Sequence, residues 1–213
     1  MSDSHTQQPN HLPDGDILIH AGDWSNRGSM SDLLKFCDFI KSVSLKYRNI
    51  IVIAGNHDWC AQNTPQVTQD CIEKAGAVYL NDSGITLEGI KIWGSPVTPW
   101  FFDWAFNKNR GDQIQQHWDL IPDDTQVLVT HGPPYGIGDE LSKRGSEPGA
   151  HVGCSNLMTT IDDRLKNLKL HVFGHIHEGC GVYCKNDVTY VNASILDDRY
   201  RQVNKPTIIE LEF

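Results

Sequence analysis

No run of apolar residues in the 213-residue chain reaches the roughly 18 that a membrane-crossing helix needs. The start carries no basic segment followed by an apolar one, the pattern of a secretory leader. Both absences set the expectation of a soluble, cytoplasmic protein with no membrane partner. Basic residues are also scarce. Eighteen Lys and Arg against 27 Asp and Glu leave a net charge of −9, and no basic run offsets it. That balance counts against a protein that works on long polyanions such as nucleic acids. Six cysteines (37, 60, 71, 154, 180 and 184) are too few for a disulfide scaffold in a chain this long. Cys180 and Cys184 have the spacing of a metal pair, but no second pair completes it, and ordinary thiols are the better reading. Low-complexity tracts are missing too. With 39% apolar residues, the chain is long enough for one domain, residues 1–213, around a sizeable core.

What the chain does have is a recurring event: an apolar run that stops at a polar, ligand-type residue. Ile50-Ile51-Val52-Ile53-Ala54 reads as a buried strand and ends in Gly55-Asn56-His57-Asp58. The Asn56 amide oxygen is neutral and suits a hard cation. His57, next to it, leaves a strand end in another direction and is free to donate a proton or hydrogen bond to a bound anion. Asp16 to Ala21 reads as another strand and ends in Gly22-Asp23. Gln126 to Thr130 ends in His131-Gly132-Pro133-Pro134, and Leu168 to Phe173 ends in Gly174-His175-Ile176-His177. At the start, Asp3 and His5 stand at i and i+2, which in an extended segment puts both on one side. An isolated Asp-x-His of this kind is more often part of a mobile tail.

The remaining pattern supplies an α/β frame. Apolar spacing over 31–43 predicts a helix capped by Ser31, and Thr64-Pro65 to Gly76 frames a second helix over about 64–75. A hairpin is expected over 85–93, an aromatic loop over 98–107, a long loop over 135–154 and a helix over 155–166. A hairpin over 181–191 and a last strand from Thr207 to Phe213 close the domain. The aromatic loop reads equally well as a small core under a loop or as the wall of a substrate cleft.

In open α/β sheets, strand carboxyl ends line the ligand crevice. Five of the ten histidines (5, 57, 131, 175 and 177) fall at such ends or in the Asp-x-His, too many for a scattered surface origin. Carboxylate, imidazole and amide oxygen together suit Mn²⁺, Fe or Zn²⁺. Seven candidate ligands exceed one ion's needs. Paired ions about 4 Å apart can activate a hydroxide and clamp a phosphoryl group.

Taken in order, SDSH, AGD, GNHD, THGPP and GHIH resemble the motifs of the calcineurin-like metallophosphoesterases. The wider matches IHAGD, VIAGNHD, TPW with Asn107 downstream, LIP, VGC, LHVFGHIHEG and VNAS resemble its branch of metallophosphoesterase-domain proteins, similar to class III cyclic-nucleotide phosphodiesterases. The resemblance covers residues 3–213. It implies an αββα sandwich of two face-to-face sheets with helices outside. It implies that Asp3, His5 and His177 hold one metal, that Asn56, His131 and His175 hold the other, and that Asp23 bridges both. The nucleophile would be a metal-bridging hydroxide, with His57 beside the scissile phosphate as leaving-group acid or transition-state stabiliser. The implied activity is a dimetal phosphodiesterase on a small phosphodiester such as a cyclic nucleotide, with Mn²⁺ as the first choice of metal. A phosphomonoesterase is the alternative, and a non-catalytic metal-binding regulatory protein is the reading from another class.

Two departures stand out. The family has an apolar strand just before Asp-x-His, whereas here only Met1 and Ser2 precede Asp3. The expectation is a sandwich without its first strand, in which Asp3 and His5 lack support, or else a natural chain that begins further upstream. Asp23 to Gly28 also partly matches the GD-x-x-D-R-G of protein phosphatases, where the second Asp orients the catalytic His and the Arg grips phosphate. Asn26 stands in place of that Asp, and Arg27 is present as a candidate phosphate ligand.

Overall fold

Chain segments with apolar side chains on both faces must be covered on both sides, and that requirement builds the molecule in layers. The computed structural model describes residues 1–142 and 147–212. The middle of the expected 135–154 loop, and Phe213 at the end of the expected last strand, lie outside the described residues. Strand β1 (Ile17–Ala21) leads through helix α1 (Met30–Val43) to β2 (Asn49–Ile53), which pairs parallel to it, Ile17 opposite Asn49 and Ala21 opposite Ile53. Leu33, Phe36, Cys37 and Ile40 of α1 form its buried stripe. The N-cap is Ser29, whose side chain accepts from the Asp32 amide, and not the expected Ser31. The Ser-Met-Ser spacing offers two caps, and the chain takes the earlier one. A short helix α2 (Trp59–Asn63), which the sequence pattern does not mark, precedes α3 (Pro65–Ala75). Gly76 ends α3 with φ of 106°, the left-handed stop expected of glycine. Strand β3 (Val78–Tyr79) then adds to β2.

The second sheet starts with the hairpin of β4 (Ser83–Leu87) and β5 (Ile90–Ser95). The pair β6 (Thr98–Pro99) and β7 (Asn107–Lys108) frames the aromatic loop, and helix α4 (Asp112–Trp118) follows. Strand β8 (Val127–Thr130), helix α5 (Ser155–Arg164), strand β9 (Leu170–Phe173) and the hairpin of β10 (Gly181–Lys185) with β11 (Val188–Asn192) complete it. The six strands run in the order β10-β11-β9-β8-β5-β4 against the three-stranded β1-β2-β3.

Alternate residues of each central strand serve different cores. Ile51 and Ile53 of β2 meet Val127, Val129, Leu170 and Val172 between the sheets. Ile50 and Val52 face α1 and α3, packing with Phe36, Ile40 and Ile72. On the far side, Leu128, Phe173 and Tyr190 pack on Ile114 and Trp118 of α4 and on Leu157 and Ile161 of α5. Three cores separate four layers, helix, sheet, sheet, helix, which is the expected αββα sandwich.

Where the first strand is expected, Met1 and Ser2 pair on both sides. The Met1 amino group donates to the Ile19 carbonyl and the Ala21 amide to that of Met1, at 2.8 and 2.9 Å. Ser2 donates to Ala193 and accepts from Ile195, at 2.8 and 3.1 Å. Beyond them, the outer edge of β1 and the segment 206–211 border a cavity of about 740 Å³. That segment keeps the in-out alternation that suggested a last strand, with Ile209 and Leu211 packed against the inter-sheet core, yet residues 207–212 pair into no sheet. The alternation is there; a neighbouring strand to pair with is not.

Candidate metal centre

The strand ends converge on one buried cluster. Asp23 follows β1, Asn56 and His57 follow β2, His131 follows β8, and His175 and His177 follow β9. Asp3 and His5 reach it from the N-terminal segment, their amides donating to the carbonyls of Gly22 and Asp23, both at 3.0 Å. Asp3, His5 and His131 are 0–1% exposed, so the N-terminal motif is a fixed part of the core and not a mobile tail. Asp3 and His5 are not extended either. Their φ angles are 54° and 42°, so convergence comes from a tight left-handed path and not from strand alternation. Asp23 and His175 share this conformation, which puts four of the seven candidate ligands in a backbone region that side chains rarely occupy.

Three ligand groups overlap: Asp3, His5 and His177; His5, Asp23 and His57; and Asp23, His131 and His175. Within each, one ligand atom per residue lies within 4.8 Å of the others. The Asn56 Oδ1 stands 2.8 Å from His131 Nε2, which is 3.3 Å from Asp23 Oδ2. His177 Nε2 lies 3.4 Å from Asp3 Oδ1. The glycines before these residues make room. A Cβ on Gly55 would stand 2.3 Å from Asp23 Oδ1, and one on Gly174 would stand 2.0 Å from Asp3 Oδ2.

Backbone carbonyls fix the imidazoles by their Nδ1 atoms. His5 uses Ser25, His131 uses Ala21 and His177 uses Asp197, at 3.1, 2.9 and 2.9 Å. Each Nε2 is thereby turned inward, the tautomer a metal-binding imidazole needs. His5 Nε2 is buried with no hydrogen-bond partner among the described residues, an inward atom that a bound cation would satisfy. Asp3 accepts from the His175 amide at 3.0 Å and from the Ser194 hydroxyl at 2.7 Å.

The electrostatics fit a cation. Burial disfavours the charge of Asp23, but His131 beside it outweighs that and holds the carboxyl well below its ordinary range. Burial likewise opposes ionised Asp3, and the His177 hydrogen bond reverses it. Desolvation works against charged His131 and His177, yet their carboxylate partners raise both to about 9. His5 and His175, held down to about 4 and about 3 by burial, stay neutral. Two carboxylates that draw protons onto their neighbours, a neutral imidazole with an unused inward nitrogen, and a cradle cleared of side chains together fit divalent metal ions.

His57 stands at the mouth. Its Nδ1 is 2.7 Å from the Asn26 carbonyl, its ring stacks on Trp104 at 4.1 Å, and its Nε2 is 4.0 Å from Asp23 Oδ2. Asn26 therefore orients His57 through its backbone, while its side-chain amide donates to Thr6 at 3.1 Å. The missing carboxylate of the protein-phosphatase pattern is replaced by a carbonyl. Arg27 is exposed and has no hydrogen-bond or ion-pair partner among the described residues.

Three contributors carry no assignment from the motifs. Asp58, the last letter of GNHD, is fully buried and accepts from the amides of Asp23, Ser25 and Gly55 and from the Ser25 hydroxyl, at 2.7–3.0 Å. It ties the loop that carries Asp23 to the loop that carries Asn56. A buried-strand motif ending in a carboxylate was the available signal. Trp104 supports the His57 ring, and Tyr200 closes on His5 from the segment after β11, with ring centroids 4.9 Å apart. Trp104 lies in the aromatic loop that the sequence offers as a cleft wall, whereas Tyr200 has no local sequence signal.

The model of the calcineurin-like phosphoesterase family matches residues 5–179. The human metallophosphoesterase domain-containing protein 1 is 39% identical over 99% of this chain and 69% of its own length. A Caenorhabditis elegans protein, UPF0046 protein C25E10.12, is 34% identical over 94% of this chain and 74% of its own. The solved structure of TT1561 from Thermus thermophilus superposes with a TM-score of 0.56 over 84% of this chain and 76% of the other, at 12% identity, a likeness of fold.

Proposed function

The chain belongs to the calcineurin-like phosphoesterase family and is a metal-dependent phosphoester hydrolase, and from that premise we propose a phosphodiesterase that acts on a small phosphodiester such as a cyclic nucleotide. The observation that carries the proposal is the overlap of ligand groups: Asp3, His5, His177, Asp23, His131 and His175, with the Asn56 amide oxygen 2.8 Å from His131, are more than one ion can use. Asp3, His5 and His177 would hold one divalent ion, Asn56, His131 and His175 the other, and Asp23 both. Mn²⁺ is the first candidate, with Fe and Zn²⁺ next, since oxygen and imidazole ligands suit all three. Bound there, the ions would supply Lewis acidity and a water made nucleophilic at neutral pH.

The protein's own groups do the rest. His57, its Nδ1 held by Asn26, keeps Nε2 free for a proton or hydrogen bond to the departing oxygen. Arg27, two residues from the Ser25 that Asp58 anchors, is a free planar donor suited to a phosphate oxygen. Trp100, Phe101 and Phe102 are all more than half exposed, and the Phe101 ring lies 6.5 Å from that of His175. An apolar wall beside the metal ligands favours an ester with a planar organic group over inorganic or small monoester phosphate. No helix among the described residues is long and apolar enough to cross a membrane.

A chromogenic diester and the matching monoester, assayed side by side with added Mn²⁺, test the reading. Faster turnover of the diester is expected. Faster turnover of the monoester would make the protein a phosphomonoesterase, and no turnover of either above the metal-only blank would make it a non-catalytic metal binder.

A further inference from the structure

The loop from Asp197 to Arg201 lies on the rim of the metal centre, and no motif marks it. Its geometry is over-determined. The Asp197 carboxylate accepts from the amides of Arg199 and Arg201 at 3.0 and 2.9 Å and from the Arg201 guanidinium at 2.8 and 2.6 Å. The Asp197 carbonyl accepts twice, from the Tyr200 amide and from His177 Nδ1, both at 2.9 Å. One carbonyl thus fixes a candidate metal ligand and the backbone of Tyr200 together. The Tyr200 carbonyl in turn accepts from the Gln7 side chain at 3.0 Å.

These bonds hold Tyr200 at a φ of 57°, a left-handed conformation that is uncommon for an aromatic residue. Such strain persists only where the surroundings enforce it, and it clusters at working sites. The strain has a visible result. The Tyr200 ring meets those of His5 and His177 edge-on, at 4.9 and 5.2 Å, and lies 6.3 Å from that of His57. It is nevertheless 47% exposed, so it faces open space on the side away from the histidines. Its phenol oxygen has no hydrogen-bond partner among the described residues. A tyrosine wanted only as cover for His5 would need neither the hydroxyl nor the strained backbone.

We propose that Tyr200 is a substrate-contacting residue whose phenol O–H donates a hydrogen bond to a non-bridging oxygen of the bound phosphoester. The inference rests on the reading that this centre binds a phosphoester. It assigns to the Asp197–Arg201 loop a donor of its own, beside His5 and His177.

The test uses the full chain loaded with Mn²⁺ and compares wild type with Tyr200→Phe, which keeps the ring, and Tyr200→Ala. Three quantities are measured: kcat/KM on the chromogenic diester, inorganic-phosphate binding by calorimetry, and bound Mn²⁺ by elemental analysis. Tyr200→Phe should lower kcat/KM by about tenfold or more and weaken phosphate binding by a similar factor, as expected for one lost hydrogen bond to a charged group. Bound Mn²⁺ and melting temperature should not change. A Tyr200→Phe protein that matches wild type in kcat/KM and phosphate binding overturns the proposal, whatever Tyr200→Ala does, because the ring alone would then suffice. A fall in bound Mn²⁺ in Tyr200→Phe also overturns it, since the hydroxyl would then serve the metal centre and not the substrate. If wild type itself neither turns over the diester nor binds phosphate, the phosphoesterase reading fails and Tyr200's role fails with it.

Discussion

The two halves of the proposed metal centre hold their histidines by different kinds of backbone. In the half formed by Asn56, His131 and His175, the residues follow β2, β8 and β9, and the His131 ring is fixed by Ala21, the last residue of β1. In the half formed by Asp3, His5 and His177, the fixing carbonyls belong to Ser25 and Asp197, both outside helices and strands. Left-handed φ angles occur in both halves, at Asp3 and His5 and at His175, and His177 follows β9 as His175 does, so the contrast lies in the N-terminal segment and in the fixing carbonyls. The difference teaches that equal burial does not mean equal preorganisation. Strand ends are ordered by the sheets, whereas the N-terminal segment is held by a few bridging hydrogen bonds, and any part of it that loosens without metal costs about 1–2 kcal/mol per residue to fix again. The strand-built half should therefore bind metal first and more tightly.

The largest expected effect falls between the halves, at His57. His57→Ala should lower kcat by roughly 10²–10⁴-fold, the usual weight of a positioned acid, while bound metal stays nearly at the wild-type level. His57 also belongs to one of the three ligand groups, with His5 and Asp23. Metal loss as deep as that of His131→Ala, by elemental analysis, would make His57 a ligand and redraw the two halves.

Asp58→Ala comes next. It leaves three buried amides without their acceptor and the Ser25 hydroxyl with only the His57 carbonyl at 3.1 Å. The expected destabilisation is on the order of 3 kcal/mol, or roughly 6–12 °C in melting temperature for a chain of this size. Because Asp58 joins the loops that carry Asp23 and Asn56, the strand-built half should lose metal affinity with it. A melting temperature within a degree of wild type would show that those loops hold their shape unaided.

Much of this comparison was legible in the sequence. Apolar runs that stop at Asp23, Asn56, His131 and His175 betray strand ends directly, because burial on both faces demands uninterrupted apolar residues. The loop-built half was legible only in its identities. Nothing local announces that Asp3 and His5 follow a left-handed path, or that Met1 and Ser2 are paired on both sides, because those features come from partners at Ile19, Ala21, Ala193 and Ile195. Tyr200 stayed hidden for the same reason. Helix α4 went unseen because it buries only Ile114 and Trp118 among polar neighbours, too few for a visible period.

Gly174→Ala should strike the loop-built half harder than the other. The new methyl would stand 2.0 Å from Asp3 Oδ2 and displace that carboxylate, which the other half feels only through the His175 amide that donates to it. A cost of about 1–3 kcal/mol is typical of such overpacking, and the affinity of the weaker metal site should drop by tenfold or more, the tighter site losing less. Equal loss at both sites, by Mn²⁺ titration, would contradict independent halves.

The smallest effect serves as a control remote from both. His151 Nδ1 lies 2.7 Å from Asp139 Oδ1, and that hydrogen bond raises the imidazole above its ordinary value. A raised imidazole contributes stability that is fully present below its unfolded value near pH 6.5 and is lost as pH rises through the folded value. His151→Ala should therefore lower the melting temperature slightly at pH 5.5 and not at pH 9, with bound metal unaffected. A loss of equal size at both pH values would mean that packing, and not charge, is what His151 contributes.

The central claim is that one half is preorganised by strands and the other by loops, and calorimetric titration of metal-free protein with Mn²⁺ tests it most directly. Two unequal steps are predicted, with Asp3→Ala removing the weaker and leaving the tighter in place. A single step of two equal ions, or loss of the tighter step in Asp3→Ala, would contradict the account.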